Sequence, residues 1–149
     1  MKTDAKSLMK LAYDQAIKGE SNGEVPVGAI YLHDNQIIAE SGNVTISNHD
    51  PSGHAEIMVL RKASQERKNH RIGGTLVVTL EPCVMCMGAM IQARIETLIF
   101  GAFDPRSGAA GSAFDLSNSP KLNHKINVIG GVMENECKDL IQGFFQSKR

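Results

Sequence analysis

The spacing of apolar residues predicts how the chain alternates between helices and strands. Apolar side chains recur at helical spacing over residues 5–17, which predicts a first helix that Gly19 can end. Two strands follow, "VPVGAIYLH" and "QIIAES", and the pair Asp34 and Asn35 between them is typical of a turn. The beginning of the chain therefore predicts a helix followed by a β-hairpin.

The remainder of the chain alternates helical and strand patterns. Helices are predicted from His54 to about Arg67, from Pro82 to about Arg94, and over "NECKDLIQGFFQSK". The segments "TLVVTL" and "TLIFGA" are short and nearly all apolar, as expected of strands that are buried on both faces, and "KINVIGGV" predicts a last strand. This order predicts an α/β fold: a three-layer α/β/α sandwich with a mixed five-stranded sheet, formed by a single domain over residues 1–149.

The composition narrows the class of protein. The chain has 149 residues, enough for one domain with its own core, and its 42% hydrophobic and 21% charged residues are typical of soluble globular proteins. No segment has the length and apolar character of a membrane span, and the charged N-terminal segment lacks the apolar core of a signal peptide. We therefore expect a cytoplasmic protein.

The charge balance gives no indication of nucleic-acid binding, because a protein that binds DNA or RNA non-specifically is usually basic. Sixteen basic side chains are matched by 16 acidic ones, so an RNA partner would have to be bound by a local patch. One dense basic run could provide such a patch, or could simply be a solvated helix face: Arg61, Lys62, Arg67, Lys68 and Arg71.

Two of the three cysteines lie three positions apart, directly behind a proline, in "LEPCVMCMGA". Proline is favoured at the first position of a helix, so Cys83 and Cys86 are expected in a first helical turn, where the helix N-terminus stabilises thiolates. Such a pair suits a redox centre and half of a metal site equally well. The third cysteine, Cys137, has the spacing of a buried residue in the last helix.

A histidine and a glutamate at the start of another predicted helix favour a metal site. His54 and two thiolates form a ligand set that zinc binds tetrahedrally, and three protein ligands leave the open position of a catalytic site. Glu56 could face the same target only if the backbone of His54 is not yet helical. A carboxylate there can take a proton from a zinc-activated water and pass it on. Four histidines are not expected to be ligands: His33, His49, His70 and His124.

The combination of HxE with a later PCxxC is the signature of the zinc deaminases, in which water attacks C4 of cytosine or C6 of adenine. The chain resembles the bacterial tRNA-specific adenosine deaminases over essentially its full length. The similar stretches are "EVPVGAI", "HDPSGHAEIMVL", "TLVVTLEPCVMCMGAMIQARI" and "FGAFDPRSGAAGSAFDL", and the last resembles the tRNA-acting branch in particular. The resemblance implies inosine formation at the wobble adenosine in the anticodon stem-loop of an arginine tRNA, a homodimer, and one catalytic Zn2+ per subunit.

The resemblance also implies a role for each matching residue. It assigns the zinc ion to His54, Cys83 and Cys86, and the proton shuttle to Glu56. Asn43 matches a family asparagine that contacts the target base, and Asp104 matches an acidic residue near the bound nucleotide. Arg106 matches a position near the substrate that is more often occupied by lysine. From the residues alone, Asn43 is also typical of a turn and Asp104 of a cap before a proline. Met87 stands where family members commonly have alanine.

Three other functions remain compatible with these motifs. The first is a zinc-dependent deaminase of a free base such as guanine or cytosine, against which only the resemblance of "FGAFDPRSGAAGS" argues. The second is a non-catalytic zinc-binding or RNA-binding module, which would have no need of Glu56 or of an open coordination position. The third is a redox protein, which would need Cys83 and Cys86 free of zinc.

Overall fold

The structure is a computed structural model, and it describes residues 4–148. Within this range there are four helices and five strands, in this order: α1 (Ala5–Ser21), β1 (Gly28–His33), β2 (Gln36–Gly42), α2 (Ala55–Arg67), β3 (Thr75–Leu80), α3 (Val84–Ala93), β4 (Thr97–Ala102), β5 (Asn127–Ile129) and α4 (Glu134–Ser147). None of these helices combines the length and the apolar character needed to cross a membrane.

The five strands form one mixed sheet in the order β2-β1-β3-β4-β5. β1 pairs antiparallel with both β2 and β3, whereas β4 pairs parallel with both β3 and β5. The sheet is covered on both sides. Leu8 and Met9 of α1 pack with Cys137 of α4 against one face, and Val59 of α2 packs with Met90 of α3 against the other. The predicted three-layer sandwich with a mixed five-stranded sheet is therefore confirmed.

A glycine allows α1 to lie directly on the sheet. A Cβ atom at Gly28, the first residue of β1, would stand 2.0 Å from the carbonyl oxygen of Ala12 and 2.4 Å from the amide nitrogen of Ala16. No side chain can be placed there without displacing the helix. The hydrogen-bonded strand begins at Gly28 and not at Val25, the first residue of the predicted strand.

Two other predicted boundaries differ from the structure. α1 continues to Ser21, past Gly19, because this glycine is buried within the helix and does not terminate it. β5 has only three residues and ends at Ile129, and Gly131 shortly after it has a φ of +85°, which extended backbone does not adopt. Met87 is fully buried in the core between the sheet and α2 and α3, so its bulk is accommodated by packing.

Candidate active site

Three potential metal ligands converge where α2 and α3 begin. His54 is the N-cap of α2 and Cys83 is the N-cap of α3, and both have extended backbone, with φ, ψ of −69°, 151° and −78°, 177°. Nδ1 of His54 lies 3.5 Å from Sγ of Cys86 and 3.7 Å from Sγ of Cys83. The predicted helix start at Pro82 is thus wrong by two residues, because α3 begins at Val84.

The spacing of these atoms fits a zinc ion. Tetrahedral zinc with Zn–S of about 2.3 Å and Zn–N of about 2.0 Å requires nitrogen and sulfur ligands about 3.5 Å apart. The distances from Nδ1 to the two sulfurs match this value, and all three ligand atoms lie within 4.8 Å of one another. Among residues 4–148, no other group of three His, Cys, Asp or Glu side chains is arranged to hold a metal ion.

The two thiols and the imidazole share protons in this cluster. The hydrogen bond from Cys86 lowers the pKa of the Cys83 thiol to about 4, so Cys83 is a thiolate at neutral pH. The same contact raises the pKa of Cys86, and the hydrogen bond with Cys83 raises the pKa of His54. A cation that replaced the shared protons would find two sulfur donors and one nitrogen donor, a set that suits zinc.

Glu56 is a buried carboxyl group beside this cluster. Its side chain is 3% exposed, and it lines the same cavity of about 390 Å³ as His54 and Cys83. His54 and Glu56 can face one cavity because His54 precedes the helix, as their two-residue spacing requires. Burial raises the pKa of Glu56 to about 7, so this carboxyl group can both accept and release a proton near neutral pH.

Asn43 and Asp104 also lie in the wall of this cavity. Oδ1 of Asn43 accepts a hydrogen bond of 2.9 Å from the backbone N–H of Ala55. Oδ1 of Asp104 accepts from the N–H groups of Arg106 and Ser107, at 3.1 and 3.2 Å, and so caps the turn that follows. Both side chains therefore hold local backbone as well as facing the cavity.

Arg106 is not brought into the cavity. It is exposed and lines a neighbouring groove of about 490 Å³, together with Phe103 and Phe145. Phe145 borders both spaces, and 51% of this residue is exposed. Arg106 thus lies in a groove next to the cavity, and the two spaces share four lining residues: Leu80, Asp104, Ile141 and Phe145.

Two buried glutamates near the site were not identified from the sequence. Glu24, 2% exposed, accepts hydrogen bonds from the N–H groups of Ile46 and Ser47, at 3.2 and 2.7 Å, and so fixes the loop that follows Asn43. Glu81, also 2% exposed, receives hydrogen bonds from the loop that begins at Asp104. The available signal was an acidic residue next to an apolar strand segment, in "EVPVGAI" and in "LEPC".

The basic run does not form a single patch. Arg67, near the C-terminal end of α2, donates to the hydroxyl oxygen of Tyr31 at 3.0 Å and to the carbonyl oxygen of Ile72. Lys62 donates to the carbonyl oxygen of Glu40 at 3.1 Å and lines a polar groove that Asn43 also borders. None of the five residues lines the cavity itself, and Lys62 borders a groove that shares Asn43 with it.

Comparisons with known proteins agree with this site. A family model described as the cytidine and deoxycytidylate deaminase zinc-binding region matches residues 2–102. A tRNA-specific adenosine deaminase of Haemophilus influenzae is 44% identical over 144 residues, which cover 95% of this chain and 83% of that protein. This chain belongs to the tRNA-specific adenosine deaminase family. The predicted family and its zinc-dependent class of enzyme are confirmed.

Solved structures place the chain among the same deaminases. One solved structure comes from a study of A-to-I editing by tRNA:A34 deaminases at the wobble position of transfer RNA. It matches this chain with a TM-score of 0.86 at 40% identity, and the match covers 89% of this chain and 97% of that chain. A guanine deaminase from Bacillus subtilis matches with a TM-score of 0.66 at 28% identity, covering 97% of this chain and 95% of that chain. The family fold thus extends to enzymes named for a free base.

Proposed function

We propose that this protein converts adenosine to inosine at the wobble position of a tRNA anticodon, in an arginine tRNA, with one zinc ion per subunit. The observation that carries the proposal is the buried carboxyl group of Glu56 in one cavity with His54 and Cys83. The substrate is supported by the relative that is named a tRNA-specific adenosine deaminase and is 44% identical. Residues 1–149 act as one deaminase domain in the cytoplasm.

His54, Cys83 and Cys86 would hold the zinc ion, since their ligand atoms have the spacing of a tetrahedral site. When bound, zinc supplies a Lewis acid that makes a water molecule acidic near neutral pH. A site with three protein ligands keeps one position open for that water. Thiolate ligands donate charge to the metal, so the reaction depends all the more on a base within reach of the water.

Glu56 is the residue that moves the protons. Its carboxylate takes a proton from the attacking water, delivers it to N1 of adenine, and passes a second proton to the amine that leaves from C6. A pKa near 7 suits a group that must accept and release protons in one cycle. The oxygen of water replaces the amino group at C6, so adenosine and water give inosine and ammonia.

The cavity binds the target base. Its apolar walls include Val27, Leu80 and Ile141, which suit the faces of a planar ring. Because the oxygen of the Asn43 amide accepts from Ala55, its NH2 group is the donor left for an acceptor on the base. Asp104 lines the same cavity as an acceptor, and Arg106 in the neighbouring groove can meet a phosphate of the RNA.

An anticodon loop is a suitable partner because its bases are already partly unstacked and can be turned into a pocket at low cost. A homodimer is supported by two exposed apolar side chains at the start of α3, Val84 and Met85, which are 46% and 39% exposed. Neighbouring exposed apolar side chains are typical of subunit interfaces. Sedimentation velocity on the purified protein tests this part of the proposal.

The alternative function is deamination of a free base such as guanine or cytosine, favoured by the 28% identity to a guanine deaminase over nearly the whole chain. The test is a panel of an arginine-tRNA anticodon stem-loop with adenosine at the wobble position, free adenine, free guanine and free cytosine. Ammonia release is measured for each substrate, and inosine formation is measured for the stem-loop. We expect turnover of the stem-loop alone. Turnover of a free base beside an unchanged stem-loop would assign the protein to the alternative.

A further inference from the structure

Glu81 is a buried acid next to a zinc-ligand position. It follows β3 directly, and only Pro82 separates it from Cys83. Both of its carboxylate oxygens accept hydrogen bonds from residues 104–112, called here the 104–112 loop. Oε1 accepts from the N–H of Asp104 at 3.0 Å and from the hydroxyl of Ser112, and Oε2 accepts from the N–H groups of Ala110 and Ser112 at 3.0 and 3.1 Å.

The loop is shaped around this carboxylate. A Cβ atom at Gly108 would stand 2.4 Å from Cδ of Glu81, so glycine is required where the loop passes over the side chain. The N–H of Ala109 donates to the carbonyl oxygen of Pro82 at 2.8 Å. Two consecutive residues of the connection between β3 and α3 thus hold the loop from its first residue to its last.

Glu81 and the 104–112 loop stabilise each other. A buried carboxylate is costly unless its oxygens are hydrogen-bonded, and the loop supplies four donors. The loop in turn has three backbone N–H groups that bond to Glu81 and not to another part of the backbone. Without the carboxylate these donors would need a different arrangement of the loop.

The position of this loop bears on the cavity, because Asp104 and Ser107 belong to the loop and line the cavity beside Glu56. We propose that Glu81 is a positioning residue: it fixes the 104–112 loop relative to Cys83 and thereby shapes the part of the cavity wall that binds the substrate base. Glu81 also borders the cavity, but both of its oxygens are engaged by the loop, so it acts through the loop and moves no proton in the reaction. This inference rests on the proposed function for the identity of the substrate, and on the geometry of the loop for the rest.

The decisive variant is Glu81→Gln, which keeps the shape of the side chain. In this variant an NH2 group replaces one carboxylate oxygen. NH2 is a donor and cannot accept hydrogen bonds from the N–H and O–H groups of the loop, so part of the four-bond set is lost. We expect amide hydrogen exchange at Asp104, Ala110 and Ser112 to accelerate about tenfold or more, with zinc content unchanged. We expect KM for the stem-loop to rise about tenfold, while kcat changes by less than about threefold, since the proton-transfer group stays in place.

The matched control is Glu96→Gln. Oε1 of Glu96 also accepts from a backbone N–H, that of Gly74 at 3.0 Å, but it lies beyond the C-terminal end of α3, whereas the cavity lies at the N-terminal end. This variant should leave the exchange of the 104–112 loop and KM unchanged. Ser112→Ala removes a single donor to Glu81, so it should change the hydrogen exchange of the loop and KM by smaller factors than Glu81→Gln does. If Glu81→Gln does not fold, Ser112→Ala is used as the test variant.

Hydrogen exchange separates this inference from the proposed function, because it is measured without substrate. A wild-type protein that leaves the stem-loop unchanged contradicts the proposed function, and KM is then measured with the base that it does turn over. Wild-type exchange of the loop in Glu81→Gln would overturn the inference. Faster exchange of the loop in Glu81→Gln with an unchanged KM would also overturn the inference, and so would equal changes of exchange and KM in Glu96→Gln.

Discussion

The side-chain oxygen of Asn43 accepts a hydrogen bond of 2.9 Å from the backbone N–H of Ala55, the residue between His54 and Glu56. Asn43 thus satisfies one of the free N–H groups at the beginning of α2. The same contact fixes the side chain in the cavity wall, next to the ligand position and the carboxyl group. Asn43 therefore caps the helix, and under the proposed function it also presents its amide to the substrate.

Two substitutions of Asn43 separate these roles. Asn43→Ala loses the cap and the amide donor, so the free energy of unfolding should fall by about 1 kcal/mol and kcat/KM should fall as well. Asn43→Asp keeps an acceptor that a helix N-terminus favours, so its stability should stay within about 0.5 kcal/mol of wild type. Its kcat/KM should still fall about tenfold or more, because the NH2 donor is absent. Urea unfolding and stem-loop kinetics check both. Wild-type kcat/KM in the aspartate variant would limit Asn43 to capping.

Glu24 makes stability depend on pH. Burial raises its pKa, but the hydrogen bonds from Ser47, Ile46 and Thr45 outweigh this and hold the pKa below the ordinary value of 4.5. A folded-state pKa below the unfolded one gives stability that is present above about pH 4.5 and lost as the pH falls through the folded value. Glu24→Gln should therefore be less stable than wild type at pH 7, and the difference should shrink below pH 4.5. Urea unfolding of both proteins across this range measures it, and a constant difference would refute the assignment.

The cysteines should differ sharply in their effect on zinc content. Cys83→Ser should lose most of the bound zinc, because it removes one of the three ligands. Cys137→Ala should retain about one zinc per chain, because Cys137 is buried in the core between α1, α4 and the sheet, where burial raises its pKa to about 11. Metal analysis of both purified variants decides this. Equal zinc in Cys83→Ser and wild type would remove Cys83 from the ligand set and reopen the redox interpretation.

Lys62 should contribute to RNA binding, because it lines the polar groove that Asn43 shares with the cavity. Lys62→Ala should weaken binding of the stem-loop and reduce the slope of log K against log salt by about 1. Arg71→Ala is the matched control. Arg71 is exposed and precedes β3, whereas the cavity lies at the opposite end of that strand. Binding measured at several salt concentrations tests both variants, and equal slopes for Lys62→Ala and wild type would exclude a phosphate contact.

The ligand cluster could be predicted from the sequence because its residues lie in short local motifs. His54 and Glu56 are separated by a single residue, and Cys83 and Cys86 are three positions apart, so the two motifs taken together indicate a shared target. The sheet could be predicted for a similar reason, since a buried strand such as β3 is a continuous apolar run.

The buried acids could not be predicted in this way. Glu24 and Glu81 hold loops that lie 21 to 31 residues further along the chain, and only the tertiary structure brings their donors together. Long-range contacts decide these placements, and a local pattern does not record them. The turn that carries Arg106 is local, since Asp104 caps it, but which of the two neighbouring spaces Arg106 lines depends on how the rest of the fold packs around that turn.

The most direct test of the account is the rate of inosine formation in the anticodon stem-loop by wild type and by Glu56→Ala, with zinc content measured in the same samples. Glu56 contributes no ligand atom to the cluster of His54, Cys83 and Cys86, so the variant should keep about one zinc per chain and its fold. The account predicts inosine at the wobble position with wild type and a loss of at least about a thousandfold in kcat with the variant. Substantial activity in a zinc-loaded Glu56→Ala protein, or no inosine from zinc-loaded wild type, would contradict it.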